Sequence, residues 1–479
     1  MENLKEKTAK GLFWGAMSNG TTQVLNLVFG IFLARLLTPA EYGIVGVLAI
    51  FSALAGTIQS GGFGAGLINL KHATDNDYNS VFWLNICVSS ILYLLLFFCA
   101  PVIAVFFKQP CLVLVSRILF LSLPISALAL VSGTYLTKNM MNRELAVISV
   151  VALVLAGVTG IILALLKFSY WSLVGQQLVY VIASDIGRFY YAPWHPSLKI
   201  DFGPVKRMYS FCVKLMVTNI INIVNQNVLT FVFGRLFSIS SVGNYSQSNK
   251  WNSMAHSTIS STVNQIAQTV LVSVSDERER ENRVLRKLLR FTAFLSFPAM
   301  LGLAMVSHEF ILLTIGEKWR ESVPLLQLLC LSGAFMPIYT LYQNLAISHG
   351  RSDINMWLNI VQIALQLCII LIFYREGIKV MVTAYTIFNI VWLAAWQLAT
   401  RRIVGLRFLE LLKDVVPFML IAATVMTAAY YATQFIENLW ILLIVRVAIA
   451  AALYFVVMRL LNVAILRECM QFVLKKKQE

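Results

Sequence analysis

The chain of 479 residues is 59% hydrophobic and only 13% charged, with a mean hydropathy of +0.76. A water-soluble chain carries roughly 45–50% apolar and about 25% charged residues, and at this length divides into domains joined by polar linkers. So little charge excludes a water-facing surface and leaves the lipid bilayer as the solvent, while the formal charge of +16 reads as membrane topology and attraction to anionic headgroups rather than a nucleic-acid surface.

The expected fold is an all-α polytopic membrane protein, because a bilayer core needs about 20 mostly apolar residues per helix. Such runs lie near 11–34, 41–68, 80–106, 111–136, 144–166, 169–189, 206–234, 241–273, 288–312, 322–348, 354–374, 378–400, 412–432 and 438–461, about fourteen spans. The seventh and eighth are the least clean, the ninth could end early, and twelve spans remain if the last pair is misread. The first run follows the charged segment 1–10; it is too long and too polar for a cleaved leader and reads as a membrane helix. Lys and Arg test the map. With a cytoplasmic N-terminus, the outside ends hold Arg35, Lys108, Lys167, Arg235, Lys318, Arg320, Arg375 and Lys379. Most of the remaining basic residues fall inside, including the C-terminal tail from Arg459, as the positive-inside rule requires. Both termini are therefore expected on the cytoplasmic side. Arg117, Lys214, Lys250 and Arg446 fall within spans.

The largest loops, near 190–205 and 274–287, are expected to be cytoplasmic. In the second, Ser275 precedes Asp276 and Glu277, with Arg283, Arg286 and Lys287 later, an order that suits the start of a helix. Seven cysteines, scattered without a Cys-x-x-Cys, argue against a disulfide framework or zinc site and read as small packing residues.

Arg35-Leu36-Leu37-Thr38 with Gly43 finds its counterpart 200 residues on, in Arg235-Leu236-Phe237-Ser238 with Gly243; upstream, Ser18-Asn19 matches Thr218-Asn219. An even number of spans separates the copies, so the halves share orientation, as parallel repeats about an axis along the membrane normal do. Thr38-Pro39-Ala40-Glu41 reads as a capping box with Pro at the first helical position, which makes this motif a helix-turn-helix corner rather than a binding site.

Several segments carry a resemblance: Ala34-Arg35-Leu36-Leu37-Thr38-Pro39-Ala40-Glu41-Tyr42-Gly43, Gly62-Phe63-Gly64-Ala65-Gly66-Leu67-Ile68, Val81-Phe82-Trp83-Leu84-Asn85, Tyr170-Trp171-Ser172-Leu173-Val174, Gly243-Asn244-Tyr245-Ser246 and Gly316-Glu317-Lys318-Trp319. In this order they resemble the oligosaccharide flippases of the multidrug/oligosaccharidyl-lipid/polysaccharide exporter superfamily, in particular the colanic-acid-type lipopolysaccharide and capsule translocases. The resemblance implies a lobe of six helices over 1–200, a second over 201–405, and two extra helices with a basic tail over 406–479. It implies an undecaprenyl-diphosphate-linked repeat unit flipped from the cytoplasmic to the periplasmic leaflet of a bacterial inner membrane, with polysaccharide assembly proteins as partners.

Asn19, Gln23 and Asn26 share one face of the first span. Asn219, Asn222 and Gln226, with Asn225 beside them, stripe the seventh; Asn249, Asn252, His256, Ser260, Asn264 and Gln268 stripe the eighth; Asn359, Gln362 and Gln366 mark the eleventh. Amides in hydrocarbon must find partners, so such stripes are either interhelical hydrogen bonds or the lining of a wet path. For the first, seventh and eighth spans the path is the favoured reading, since the stripes exceed what pairwise bonding requires; for the eleventh, bonding is favoured. Lys214 and Lys250, each beside a stripe, suit a diphosphate as point charges, against the alternative of snorkelling to an interface. Arg35 and Arg235 are candidate phosphate contacts at the outer mouth. Arg117 and Arg446 read as snorkelling or packing residues, and His256 as a hydrogen-bonded structural group before a sugar ligand. Asp185, with Arg188 one turn on, reads as a local ion pair ahead of a coupling site.

No cofactor or metal motif is present, and coupling to proton, sodium or membrane potential has no assigned residue. Gly62-Phe63-Gly64-Ala65-Gly66 follows no strand and precedes no Lys-Ser/Thr, so it is a packing or bending device rather than a nucleotide loop. Two competing readings are a multidrug exporter, which would favour an acidic, aromatic cavity, and a membrane-embedded glycan polymerase or ligase, which would need catalytic groups on a sizeable outer loop. Short outside loops and five histidines weigh against the second.

Overall fold

The computed structural model describes residues 4–198, 201–274, 277–463 and 465–467. Ser275, Asp276, Cys469 and the basic tail beyond Arg467 lie outside the described residues. The chain is helical throughout, with no strand among the described residues: α1 Leu4–Leu36, α2 Pro39–Ser60, α3 Phe63–Asn69, α4 Asp75–Phe106, α5 Leu112–Leu119, α6 Ser122–Lys138, α7 Asn142–Leu165, α8 Trp171–Tyr191, α9 Gly203–Leu236, α10 Ile239–Val274, α11 Arg278–Thr314, α12 Ser322–Gly333, α13 Met336–Ser348, α14 Ser352–Phe373, α15 Ile378–Val404, α16 Phe408–Thr433 and α17 Leu439–Leu460. The pairs α2–α3, α5–α6 and α12–α13 each form one broken span, so every expected run has its helix, the last pair included. Among the described residues, eleven spans are long and apolar enough to cross a membrane; α1, α8 and α10 are the more polar remainder. The ninth run begins at Arg278, ten residues ahead of the expected 288.

Residue contacts divide the chain into Met1–Gly243 and Asn244–Glu479. In the first unit, the start of α2 follows the expected capping box. Thr38 N donates to Glu41 Oε2 (2.6 Å), Glu41 N donates to Thr38 Oγ1 (3.4 Å), and Pro39 opens the helix. The repeat copy keeps one of these bonds with shorter side chains, Ser241 N donating to Ser238 Oγ at 3.2 Å. The two corners meet through their glycines: a Cβ on Gly43 would coincide with the Ile239 carbonyl oxygen, and one on Gly243 with the Pro39 carbonyl oxygen. Pro39 and Ile239 are themselves 200 residues apart, so the contact is reciprocal between the copies.

From there α9 follows α2 along its length. Gly234 abuts Val47 and Phe107, and the Phe231 ring packs with Phe51, Phe106 and Phe107. At the other end, Gly61 and Gly62 (φ 52° and 74°) break α2 from α3. A Cβ on Gly62 would stand 2.7 Å from the Cys212 carbonyl oxygen, and one on Gly66 2.8 Å from Cys212 Sγ. The glycine run is thus a break packed against α9, the close-packing reading. The same end is tied by polar contacts. Thr74 N and Oγ1 donate to Asp77 Oδ2, and Arg207 NH2 donates to Asp77 Oδ1 at 2.9 Å. Asn76 Nδ2 donates to Asp201 Oδ2 and Trp83 Nε1 to the Ser197 carbonyl, both at 2.8 Å. The Asn76 bond and the Gly203 N–H hold the Asp201 carboxyl below its ordinary pKa, so it stays charged, and the tie intact, at neutral pH and weakens only on acidification.

In the second unit, α16 and α17 pack on α11. Asp414, 1% exposed, accepts Arg286 Nε at 2.6 Å and Arg290 Nε at 2.5 Å. Nearer the other end, Arg446 NH1 donates to Glu309 Oε1 at 2.8 Å and Arg446 Nε to Thr433 Oγ1 at 2.9 Å, with the guanidinium 4.6 Å over the Tyr430 ring. Arg446 is the packing residue expected; its carboxylate partner was not. Both side chains are buried, so removing one strands the other. Glu309→Ala is expected to destabilise by about 3–5 kcal/mol, and Glu309→Ala/Arg446→Met to recover most of that loss, measured by thermal unfolding of the purified protein. Equal losses in the single and double variants would show that the stranded guanidinium is not what destabilises the single variant.

Candidate functional site

The residues picked out by the sequence do not share one environment. On α1, Asn19, Gln23 and Asn26 are all exposed. On α9, Lys214, Asn219 and Gln226 are exposed, while Asn222 and Asn225 are half-buried and have interactions. These helices lie in the first unit, and each presents a polar stripe at its surface. Along α10 the stripe divides. Lys250 and His256 are half-buried, and His256 Nδ1 has no partner among the described residues. Asn252 is turned into the unit, 5% exposed, with its Oδ1 in the space a Cβ on Gly333 would take. Asn264 accepts a bond from Asn344 Nδ2 at 2.7 Å. Through Asn264 the stripe bonds α10 to α13, as interhelical bonding does, whereas Asn252 Oδ1 packs against α12 with no hydrogen-bond partner among the described residues.

The eleventh run behaves in the same way: Gln362 Nε2 donates to Asn389 Oδ1 at 3.1 Å, between α14 and α15. Asp185 is buried and its Oδ1 takes Arg188 NH1 at 3.4 Å, the local pair expected. Arg117 Nε reaches the Phe97 carbonyl at 3.4 Å with its guanidinium 4.2 Å over the Phe97 ring, a packing role. Arg235 NH1 donates to the Phe106 carbonyl at 2.7 Å and lies over that ring, leaving it half engaged at the corner; Arg35 is exposed and has an interaction.

Lys214 and Lys250 stand apart from the other intramembrane cations. Neither ammonium has a hydrogen-bond or ion-pair partner among the described residues, whereas Arg446 has a carboxylate and Arg117 a carbonyl. A charge left without a partner in a span is costly unless water or a counter-anion reaches it. Lys214 lies in the first unit and Lys250 in the second. Among the described residues no group of His, Cys, Asp and Glu is arranged to hold a metal.

Two features escaped the sequence reading. The first is Glu309, the carboxylate partner of Arg446; the two are 137 positions apart, and no periodicity links them. The second is a cleft of about 1090 Å³ in the second unit, where Arg351, Arg401 and Arg402 converge; the loops had assigned those residues to topology alone.

A family model described as "Polysaccharide biosynthesis protein" matches residues 32–324. The chain is 25% identical over 364 residues to the lipopolysaccharide biosynthesis protein WzxC of Escherichia coli (strain K12), covering 75% of this chain and 73% of that protein. It is 28% identical over 328 residues to the succinoglycan biosynthesis transport protein ExoT of Rhizobium meliloti (strain 1021), covering 68% and 66%. In fold it is similar to the lipid II flippase MurJ in an inward closed conformation, with a TM-score of 0.76 over 94% of this chain and all of that one, at 15% identity.

Proposed function

The chain belongs to the polysaccharide biosynthesis protein family and is a multi-pass membrane protein, and from that premise we propose that it translocates a polyprenyl-diphosphate-linked oligosaccharide between leaflets by alternating access, with no covalent chemistry. The observation that carries this reading is the pair of unpartnered ammonium groups, Lys214 and Lys250, each on a helix striped with amides. A diphosphate supplies the counter-charge those groups lack, and exposed amides such as Asn19, Gln23 and Asn26 can exchange water for sugar hydroxyls as the glycan passes. Arg35 and Arg235 would meet the headgroup at the outer mouth.

The lobes are 1–200 and 201–405, with α16 and α17 as additions. The protein sits in the bacterial inner membrane with both termini in the cytoplasm, and hands its product to polysaccharide assembly proteins. Translocation is downhill or coupled to an ion gradient without a bound cofactor. The relatives' names fit this reading, since WzxC and ExoT are named for lipopolysaccharide biosynthesis and succinoglycan transport.

The test is reconstitution. Purified protein in vesicles should expose an inner-leaflet lipid-linked oligosaccharide to an externally added glycosidase, at a rate that protein-free vesicles do not show. Absence of exposure, together with drug-stimulated cation transport in the same vesicles, would replace this reading with a multidrug exporter.

A further inference from the structure

We propose that the second unit carries, at the membrane face assigned above to the cytoplasm, a binding site for a lipid-borne phosphate, built from Arg401 and Arg402 of α15 beside the ion-paired Arg351 of the α13–α14 turn. The site rests on the proposed orientation for its leaflet and not on translocation. Its cleft, about 1090 Å³, lies between that turn and the last turn of α15, and no acid lines it; His349, Ile354 and Leu398 complete the wall with the arginines. The nearby acids are spent. Asp353 takes the Nε and NH2 of Arg351 at 3.0 Å each. Glu281, fully buried, faces His349 Nε2 at 2.8 Å. Arg401 and Arg402 have no partner among the described residues and are exposed.

Positive-inside topology alone requires basic residues on this face, but not their convergence from two separate segments on one concavity. A cleft lined by one sign of charge concentrates potential and draws counter-ions, and guanidinium groups match phosphate oxygens in pairs. That potential exceeds the opposing dipole of the α15 C-terminus, a fraction of one charge.

A second observation says that the phosphate belongs to a lipid. Ile387, Val391 and Leu398 are each more than half exposed and, at spacings of four and seven, share with Arg402 one face of α15. An acyl chain lying on that stripe brings its own headgroup to the arginines. Basic pockets between membrane helices on the cytoplasmic side hold anionic headgroups in this way.

The experiment is native mass spectrometry of the full-length protein with phosphatidylglycerol, cardiolipin or phosphatidylcholine. The wild type should retain the two anionic lipids and not phosphatidylcholine. Arg401→Gln/Arg402→Gln should weaken their retention at least tenfold, and Arg401→Lys/Arg402→Lys should keep most of it, which separates lost charge from a misfolded end. Retention is read without transport, and the Gln double variant leaves Lys214 and Lys250 in place, so failure of the transport reading would not register here. Two added arms identify the source: undecaprenyl diphosphate displacing phosphatidylglycerol would assign the site to the substrate's headgroup, and inorganic phosphate displacing it would assign a free anion. Equal retention of anionic lipid by wild type and the Gln double variant overturns the proposal.

Discussion

Replacing Lys214 and Lys250 together with alanine is expected to abolish translocation of lipid-linked oligosaccharide in vesicles while leaving the protein folded. A unit charge about 4 Å from a phosphate contributes about 4 kcal/mol at an effective dielectric near 20, and every 1.4 kcal/mol is a factor of about ten in binding. Even with heavy discounting for water in the path, two lost charges reduce turnover at least a hundredfold. Folding responds in the opposite sense. Neither ammonium has a partner among the described residues, so alanine strands no carboxylate, and removing an unpaired, half-buried Lys250 relieves a desolvation cost. The expected signature is lost transport with an unchanged or raised melting temperature. Arginine at both positions should keep a measurable part of the rate. Full translocation by the double alanine protein would remove both lysines from the substrate path, and a lowered melting temperature with intact transport would make them packing residues.

The helices were legible because lipid and charge leave a coarse record. Apolar runs of the required length, alternating with basic ends, placed a helix at each of the fourteen expected runs, eleven of them apolar enough to cross a membrane among the described residues, and Thr38 with Glu41 marked one helix start to the residue. Where the record failed, the cause was pairing across distance. The order of charges over 274–287 suited a helix start, but nothing in it told how far α11 runs ahead of its apolar stretch: the helix begins at Arg278, and Asp414 of α16, over 120 positions away, neutralises Arg286 and Arg290. Polar stripes were legible as faces and not as destinations. Periodicity puts Asn252 and Asn264 on one side of α10; it says nothing of Gly333, which makes room for the first, or of Asn344, which binds the second. The breaks at α5–α6 and α12–α13 carry no glycine turn like that at Gly61 and Gly62 (φ 52° and 74°); the local signals there are Pro124 and Pro337, in the first turns of α6 and α13.

Gly43→Ala and Gly243→Ala are each expected to reduce translocation more than tenfold, and the double variant little further. A Cβ at either position would coincide with a backbone carbonyl of the other repeat copy, Ile239 or Pro39. Backbone cannot rotate aside as a side chain does, so the starts of α2 and α10 must separate by about 1 Å or more, and packed interfaces respond to such shifts by changing state rather than by stretching. If alternating access makes and breaks this corner in each cycle, the substitution disfavours the state in which it is closed. Reciprocity sets the non-additivity: the first methyl opens the gap that the second would need, and neighbouring sites that share one displacement do not add. Gly56→Ala is the control, because a Cβ there meets nothing within 4 Å, and removing a mid-helix glycine should stabilise by roughly 0.5–1 kcal/mol. A corner that merely connects two helices would tolerate either methyl at wild-type rate once the protein is folded, whereas a corner that must close would show the loss in both single variants and in neither the Gly56 control nor its melting temperature.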